Sequence, residues 1–330
     1  MENVVKLSAD ERKDIFQEAA YRKGIPPAIM EKDFWVCWVL RKIFADEYLS
    51  KIMLFKGGTS LSKVFKVIER FSEDIDLILD WRLLTESDPL APMSGTKQAK
   101  MNSAIDESAS AFISGELREK ISAVLSPACS VEEDKKDPHI LQVTYPESFS
   151  DQYIAPRVKL EIGPLASWVP NDRYIITPYL HDVFPELIKD HECGLRSIKA
   201  ERTFWEKVTI LHHEAHRPES SPVPARYSRH YYDMFMLSRS VIRESALKDI
   251  ELLESVTAFK KRFYPRGWAR YDLAVPGTMK LIPPDHVLKF MKNDYRDMQN
   301  MIFGEYPSFE NIINGLSMLE GEINSIKASR

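Results

Sequence analysis

FKGGTSLSKVFKVIERFSEDIDLIL, residues 55–79, is the stretch on which the reading of this chain turns. Just before and into it, residues 51–56 are apolar from Ile52 to Phe55 and predict a buried strand. Gly57-Gly58 predicts a tight turn, after which Thr59 or Ser60 can cap a helix. Leu61, Val64, Phe65 and Ile68 recur at i, i+3, i+4 and i+7, which is one helical face. Residues 74–79 predict a second strand. Ile75, Leu77 and Leu79 point one way, Asp74 and Asp76 the other, and Ile78 shares the aspartate face.

This order of strand, glycine turn, helix and strand has a chemical logic. Glycines at 57 and 58 let backbone N–H groups come close to an anionic triphosphate. The start of the following helix aims more N–H groups and the positive end of its dipole at the same place. Thr59 and Ser60 add hydroxyls. Asp74 and Asp76 stand two apart on a strand, with Cα atoms about 6.6 Å apart on one face. Carboxylates that close repel unless a cation lies between them. Mg²⁺, with Mn²⁺ as a substitute, takes carboxylate and phosphate oxygens. Two such ions about 3.5–4 Å apart can activate a hydroxyl and neutralise a leaving oxygen. The expected chemistry is transfer of a nucleotidyl group from a nucleoside triphosphate (NTP), with pyrophosphate leaving. A third carboxylate from a neighbouring strand completes such a site. In PRVKLEIG, Val158, Leu160 and Ile162 alternate with Arg157, Lys159 and Glu161, so Glu161 lies on the polar face. Glu161 is a second-metal ligand, a general base, or simply a solvated strand position. Neither Asp-x-Asp nor Gly-Gly alone says much; their spacing one helix apart carries the reading.

The remainder of the chain bounds this reading. Its 330 residues suit two moderate domains. A hydrophobic content of 44% and a charged content of 28% are those of a globular protein. The net charge is −4, so any nucleic-acid contact must come from a local patch. FKKRFYPRGWAR, residues 259–270, interleaves basic and aromatic residues. It is either such a patch or an ordinary solvated helix end. Cys37, Cys129 and Cys193 are odd in number and form no CxxC pair, which fits a reducing, cytoplasmic setting without a disulfide framework. The charged N-terminus has no secretory h-region. The longest apolar run, residues 34–40, is too short to span a bilayer, so no membrane partner is expected.

Ser8 and Glu11 match a capping box before a short helix, and residues 28–44 predict a second, with Trp35, Val36, Val39, Leu40 and Ile43 buried. A helical stretch over 103–124 and strands over 140–145 and 154–162 follow, and the pattern turns helical from about 181. The expected fold is α+β. Residues 1–165 form a core of small mixed sheet flanked by helices. Residues 166–330 form a mostly helical domain that closes the nucleotide cleft, the boundary falling within 165–200. His212, His213, Glu214 and His216 do not make an HExxH zinc motif, because His216 comes one residue too soon; structural histidines are expected.

The central stretch resembles the polymerase-β-type nucleotidyltransferase signature and, more narrowly, the AbiEii/AbiGii toxin family. Ile29-Met30-Glu31-Lys32-Asp33-Phe34-Trp35 resembles that family's N-terminal helix entry. Residues 55–61 with 70–76 resemble its central signature. Arg202-Thr203-Phe204-Trp205-Glu206-Lys207 resembles its Glu-Lys helix, and Arg229-His230-Tyr231-Tyr232-Asp233 its late Asp motif. The resemblance implies a polymerase-β-like fold and a toxin restrained by a cognate antitoxin. It also implies NMP transfer to an RNA hydroxyl, at the tRNA 3′ acceptor end in related members. Asp74 and Asp76, with Glu161, would be metal ligands, and Gly57, Gly58, Thr59, Ser60 and Ser72 would bind nucleotide. Lys207 would stand near the triphosphate, although periodicity alone makes it a surface charge beside Phe204, Val208 and Leu211. Asp233 would be a further essential carboxylate. Some members carry Asp-x-x-Asp there; this chain has His230 and Met236 at the flanking positions. Asp233 is therefore a base, or it orients Lys207 or Arg229. Two rivals remain: the same fold acting on a protein or small molecule, and a non-catalytic module that binds nucleotide or nucleic acid.

Overall fold

The computed structural model describes residues 1–72, 74–149, 155–190 and 192–327. Ile154, expected to open a strand, lies outside the described residues, as does Glu73 of the central stretch.

Strands β1 (Met53–Lys56), β2 (Asp74–Leu79), β3 (Ser130–Glu133), β4 (Ile140–Thr144), β5 (Arg157–Gly163), β6 (Asn171–Ile176) and β7 (Cys193–Ile198) make one mixed sheet. Their order is β3-β4-β5-β2-β1-β7-β6. β1 and β2 pair antiparallel at the centre, with Lys56 opposite Asp76. β5 runs parallel to β2 and β7 parallel to β1. The buried residues of β2, Ile75, Leu77 and Leu79, face the core, as their alternation predicts.

Helices α1 (Glu2–Val5), α2 (Ala9–Lys23), α3 (Pro27–Ala45), α4 (Glu47–Ile52), α5 (Gly57–Lys63), α6 (Gly95–Phe112), α7 (Arg118–Leu125) and α8 (Tyr179–Val183) accompany the sheet. The Ser8–Glu11 capping box opens α2, and Gly24 in the left-handed region, φ 69°, ends it. Pro27 at the first turn opens α3. Every residue of α3 from Ala28 to Leu40 is buried, so it is a core helix rather than an amphipathic one. Its Glu31, Lys32 and Asp33 are therefore buried charges, which need partners.

Two compact units result: Met1–Val64 with Phe71–Ile198, and Phe65–Arg70 with Lys199–Arg330. The second holds α9 (Ala200–Ala215), α10 (Ser228–Ser238), α11 (Val241–Lys248), α12 (Ile250–Phe263), α13 (Asp285–Asp297) and α14 (Phe309–Ser325). It is mostly helical, and its main run begins at 199, because β6 and β7 still belong to the sheet. The inserted segment joins it through the backbone: Arg70 bridges Ile302, and Phe303 N donates to Glu69 O at 3.0 Å. Among the described residues no helix is long and apolar enough to cross a membrane.

The helix expected to carry Leu61, Val64, Phe65 and Ile68 on one face stops at Lys63. The backbone turns at Lys66, φ 53°, and Phe65 and Ile68 belong to the second unit. One apolar repeat thus serves two cores.

Candidate active site

No separate turn lies between β1 and α5; the helix starts at Gly57 itself, with Lys56 in the N-cap position and no side-chain cap. Gly57 has φ +81°, and a Cβ built on it would overlap the Asp76 carboxylate. Glycine is thus needed twice, for the backbone conformation and for the closeness of Asp76. Asp76 is directly opposite Glu161 on β5, and Asp74 opposite Lys159. Opposed residues project from the same face, so Asp74, Asp76 and Glu161 share one face with Lys56 and Lys159. All five are half-buried.

Thr59 Oγ1 donates to Asp74 O at 2.5 Å, which pins the first turn of α5 to the aspartate strand. Ser60 Oγ donates to Gly57 O at 2.8 Å. Neither hydroxyl caps the helix as the sequence suggested. Both protons are engaged internally, so what α5 offers an anion is backbone N–H. Ser72 is half-buried two residues before Asp74.

The far end of α5 is braced as well. Lys63 Nζ donates to Asp33 Oδ1 at 2.6 Å, with both side chains 5% exposed. The ammonium sits 3.8 Å from the Tyr179 ring centroid, and Tyr179 N donates to Asp33 Oδ2 at 2.6 Å. Burial would lower the Lys63 pKa, but the Asp33 carboxylate overrides it and holds Lys63 above its ordinary range. Glu31, the neighbouring buried acid, accepts from Ser148 N at 2.7 Å, and burial pushes its carboxyl up.

Among the described residues no three His, Cys, Asp or Glu side chains form a ready-made metal cluster. The donor chemistry still fits Mg²⁺. Asp74, Asp76 and Glu161 are hard oxygen donors on one face, and Mg²⁺ usually draws the rest of its shell from phosphate and water.

In the second unit, Asp233 is fully buried and held by two cations. Arg70 Nε and Nη2 grip Oδ1 and Oδ2 at 2.6 and 2.8 Å. Lys207 Nζ donates to Oδ2 at 2.7 Å and lies 3.4 Å from His230 Nδ1. Burial pushes the Asp233 carboxyl up, but Arg70 and Lys207 outweigh it and hold the group well below the usual carboxylate range. Burial lowers the Lys207 pKa, against the pull of Asp233. Both Asp233 oxygens are taken by cationic donors, and the second partner beside Lys207 is Arg70 rather than Arg229. Lys207 is no surface charge, since it is 6% exposed. Sequence reasoning missed Arg70 as a site residue, although it opens the quoted Arg70-Phe71-Ser72 run.

The histidines of α9 are engaged within the fold. His212 Nε2 meets Arg270 O at 2.9 Å, and Lys280 N donates to its Nδ1 at 3.1 Å, so both ring nitrogens are used. Burial lowers its pKa from 6.5 to about 4 and that of His213 to about 3. In the basic-aromatic stretch, Phe263 is buried and the Trp268 ring lies 4.3 Å from that of His213. Tyr264 is 44% exposed, with the Lys260 ammonium 5.3 Å from its ring centroid.

An aspartate strand laid against a glycine-initiated helix, with an opposed glutamate on the next strand, is the arrangement expected of a nucleotidyltransferase. The sequence model described as "Nucleotidyl transferase AbiEii toxin, Type IV TA system" matches residues 38–315, and the chain belongs to that family. It is a nucleotidyltransferase toxin of a type IV toxin–antitoxin system, a class with an NTP substrate and an antitoxin partner. Among solved structures it is similar to MenT4, a nucleotidyltransferase toxin from Mycobacterium tuberculosis, at 14% identity and a TM-score of 0.43, covering 93% of this chain and 96% of that one. No match was found among curated proteins.

Proposed function

We propose that the protein transfers NMP from an NTP to an RNA hydroxyl, the tRNA 3′ acceptor end, in a Mg²⁺-dependent reaction. The observation that supports this most is the closeness of Gly57 to the Asp76 carboxylate, with Glu161 opposite Asp76 in register. In this reading the backbone N–H groups at Gly57 and Gly58 hold the phosphates, with Thr59, Ser60 and Ser72 shaping the same pocket. Asp74 and Asp76, with Glu161, hold the metal, for which Mn²⁺ can substitute. When bound, the metal supplies charge neutralisation at the phosphate and leaving oxygens. Glu161 also receives the proton of the attacking hydroxyl. Lys207, oriented by Asp233, offsets the charge of the leaving pyrophosphate. The cognate antitoxin restrains this activity, and the toxin acts in the cytoplasm.

The test is incubation of the protein with each α-labelled NTP in turn and total RNA, with Mg²⁺, Mn²⁺ or chelator. Label in the tRNA band that vanishes with chelator is the expected result. Label only in protein or in a small acceptor would move the reading to a different acceptor. No label in any fraction would support a non-catalytic module and overturn the proposal.

A further inference from the structure

The face of the sheet that bears Asp76 does not end at β1. Register carries side-chain parity from strand to strand. Asp76 stands opposite Lys56, and Phe55 is paired with Ser197, so Lys56 and Leu54 share a face with Arg196 and Ile198. Arg196 in turn stands directly opposite Arg173 on β6. The packing agrees, for Leu54, Ile78 and Ile198 form one apolar cluster covered by Ala166 and Trp168. Arg173 lies three strands from Asp76 in the sheet order. Arg196 is level with Leu54 and Ile78, two residues along from Asp76, so at the ordinary strand spacing and rise the separation is about 16 Å across one face.

A groove of about 990 Å³ opens at this edge, and its charged lining residues are Lys51, Arg173 and Arg196, with no acid among them. Like charges directly opposite one another weaken a sheet, and an anion between them relieves the repulsion. Arg196 is half committed already. Its Nη2 donates to Ser50 O and Lys51 O at 2.8 and 3.1 Å, and its guanidinium lies 5.5 Å from the Trp168 ring centroid. Burial and the Arg173 charge push its pKa down, against the weaker pull of Asp80. Arg173 is exposed, and its guanidinium makes no ion pair among the described residues. Lys51 pairs with Glu47 at 2.7 Å, but both are largely exposed, and such pairs contribute little. Gly194, opposite Ile175, leaves the floor open; a Cβ there would meet nothing within 4 Å. In a chain of net charge −4, three cations lining one open groove at this edge make a local site for a polyanion.

We infer that this groove binds the phosphodiester backbone of the acceptor RNA and holds the strand while its end is presented at the carboxylates of the same face. The inference rests on the reading of RNA as the acceptor. Its test is the binding of labelled total tRNA to the full chain over a salt series, with NTP binding measured alongside. Arg173→Glu should weaken tRNA binding about tenfold or more, and Arg173→Ala should lower the slope of log K against log salt by about one. Arg173→Lys should retain most of the binding, and NTP affinity should not change in any of these variants. If Arg173→Glu with Lys51→Glu binds tRNA like the wild type, while the wild type labels tRNA, the groove assignment is overturned and the proposed function stands. If the wild type neither binds nor labels tRNA, the acceptor reading falls and the groove assignment with it. If the double variant keeps tRNA binding but loses an acidic protein partner, the groove is a protein interface and the RNA assignment is wrong.

Discussion

Gly57, Asp76 and Asp233 are single residues whose chemistry is set by what touches them. Gly57→Ala would place a methyl group on the Asp76 carboxylate at a φ of +81°, so one of the two must move. The strained backbone should cost about 1–3 kcal/mol of stability. A displacement of Asp76 by about 1 Å should lower turnover about a hundredfold. Denaturant melts and a labelled-NTP assay read the two effects separately. Asp76→Ala should leave the circular dichroism unchanged and cut transfer by at least about a hundredfold, since about 1.4 kcal/mol is tenfold in rate and metal-assisted stabilisation is several times that. Wild-type turnover in that variant would contradict the metal role. Asp233→Asn would leave two buried cations without their counter-charge and should cost about 3–5 kcal/mol. The depressed Asp233 pKa stabilises the fold fully above about pH 4, the unfolded value, and that contribution is lost as pH falls below it. His212 and His213 act in a different window. Neutral in the fold and protonated when unfolded below pH 6.5, they make stability fall as pH drops from 6.5 toward their folded values of about 4 and about 3. Calorimetry between pH 7 and 4 should show this decline, and His212→Gln should flatten it. An unchanged slope would mean that His212 is not the titrating group.

Among the elements, β2 was legible because it opens on an alternation, Asp74 and Asp76 out and Ile75 and Leu77 in, before an apolar end. α3 was legible because Pro27 and its apolar content mark it. β6 and β7 were not. β6 is an edge strand with Asp172, Arg173 and Ile175 exposed, and the alternation of β7 runs only from Cys193 to Arg196 and carries a glycine, too short a signal to mark a strand. Within the site, the acids and Gly57 could be read from spacing. The Arg70–Asp233 pair could not, because its partners lie 163 positions apart and nothing local links them. The role of Asp33 was equally hidden: its motif was visible, but the Lys63 it grips lies 30 residues on. This pair fixes the end of α5 against α3. Asp33→Ala should therefore cost about 3–5 kcal/mol, since it strands a buried ammonium, while Asp33→Leu with Lys63→Met should recover much of that loss. Chemical denaturation of the single and double variants would show it. Equal losses in both would mean that the charges themselves are not what holds the helix.

At the scale of the whole molecule, the chain enters the helical unit twice, once for residues 65–70 and again from 199 onward. A chain ended after Ile198 would keep all seven strands but lose the partners of Glu69 and Arg70. Such a truncation should melt earlier and exchange the amides of 65–72 faster than the full chain; equal protection in both would show that the segment holds itself. The same threading has a consequence on the ribosome. Arg70 emerges long before Asp233, 163 residues later. At about 5–20 residues per second that is a wait of roughly 8–33 s. Throughout it the carboxylate that grips Arg70 in the fold has not yet been made. The 65–70 segment of a nascent chain thus waits for its buried counter-charge until most of the message has been read, and the helical unit closes only near the end of synthesis.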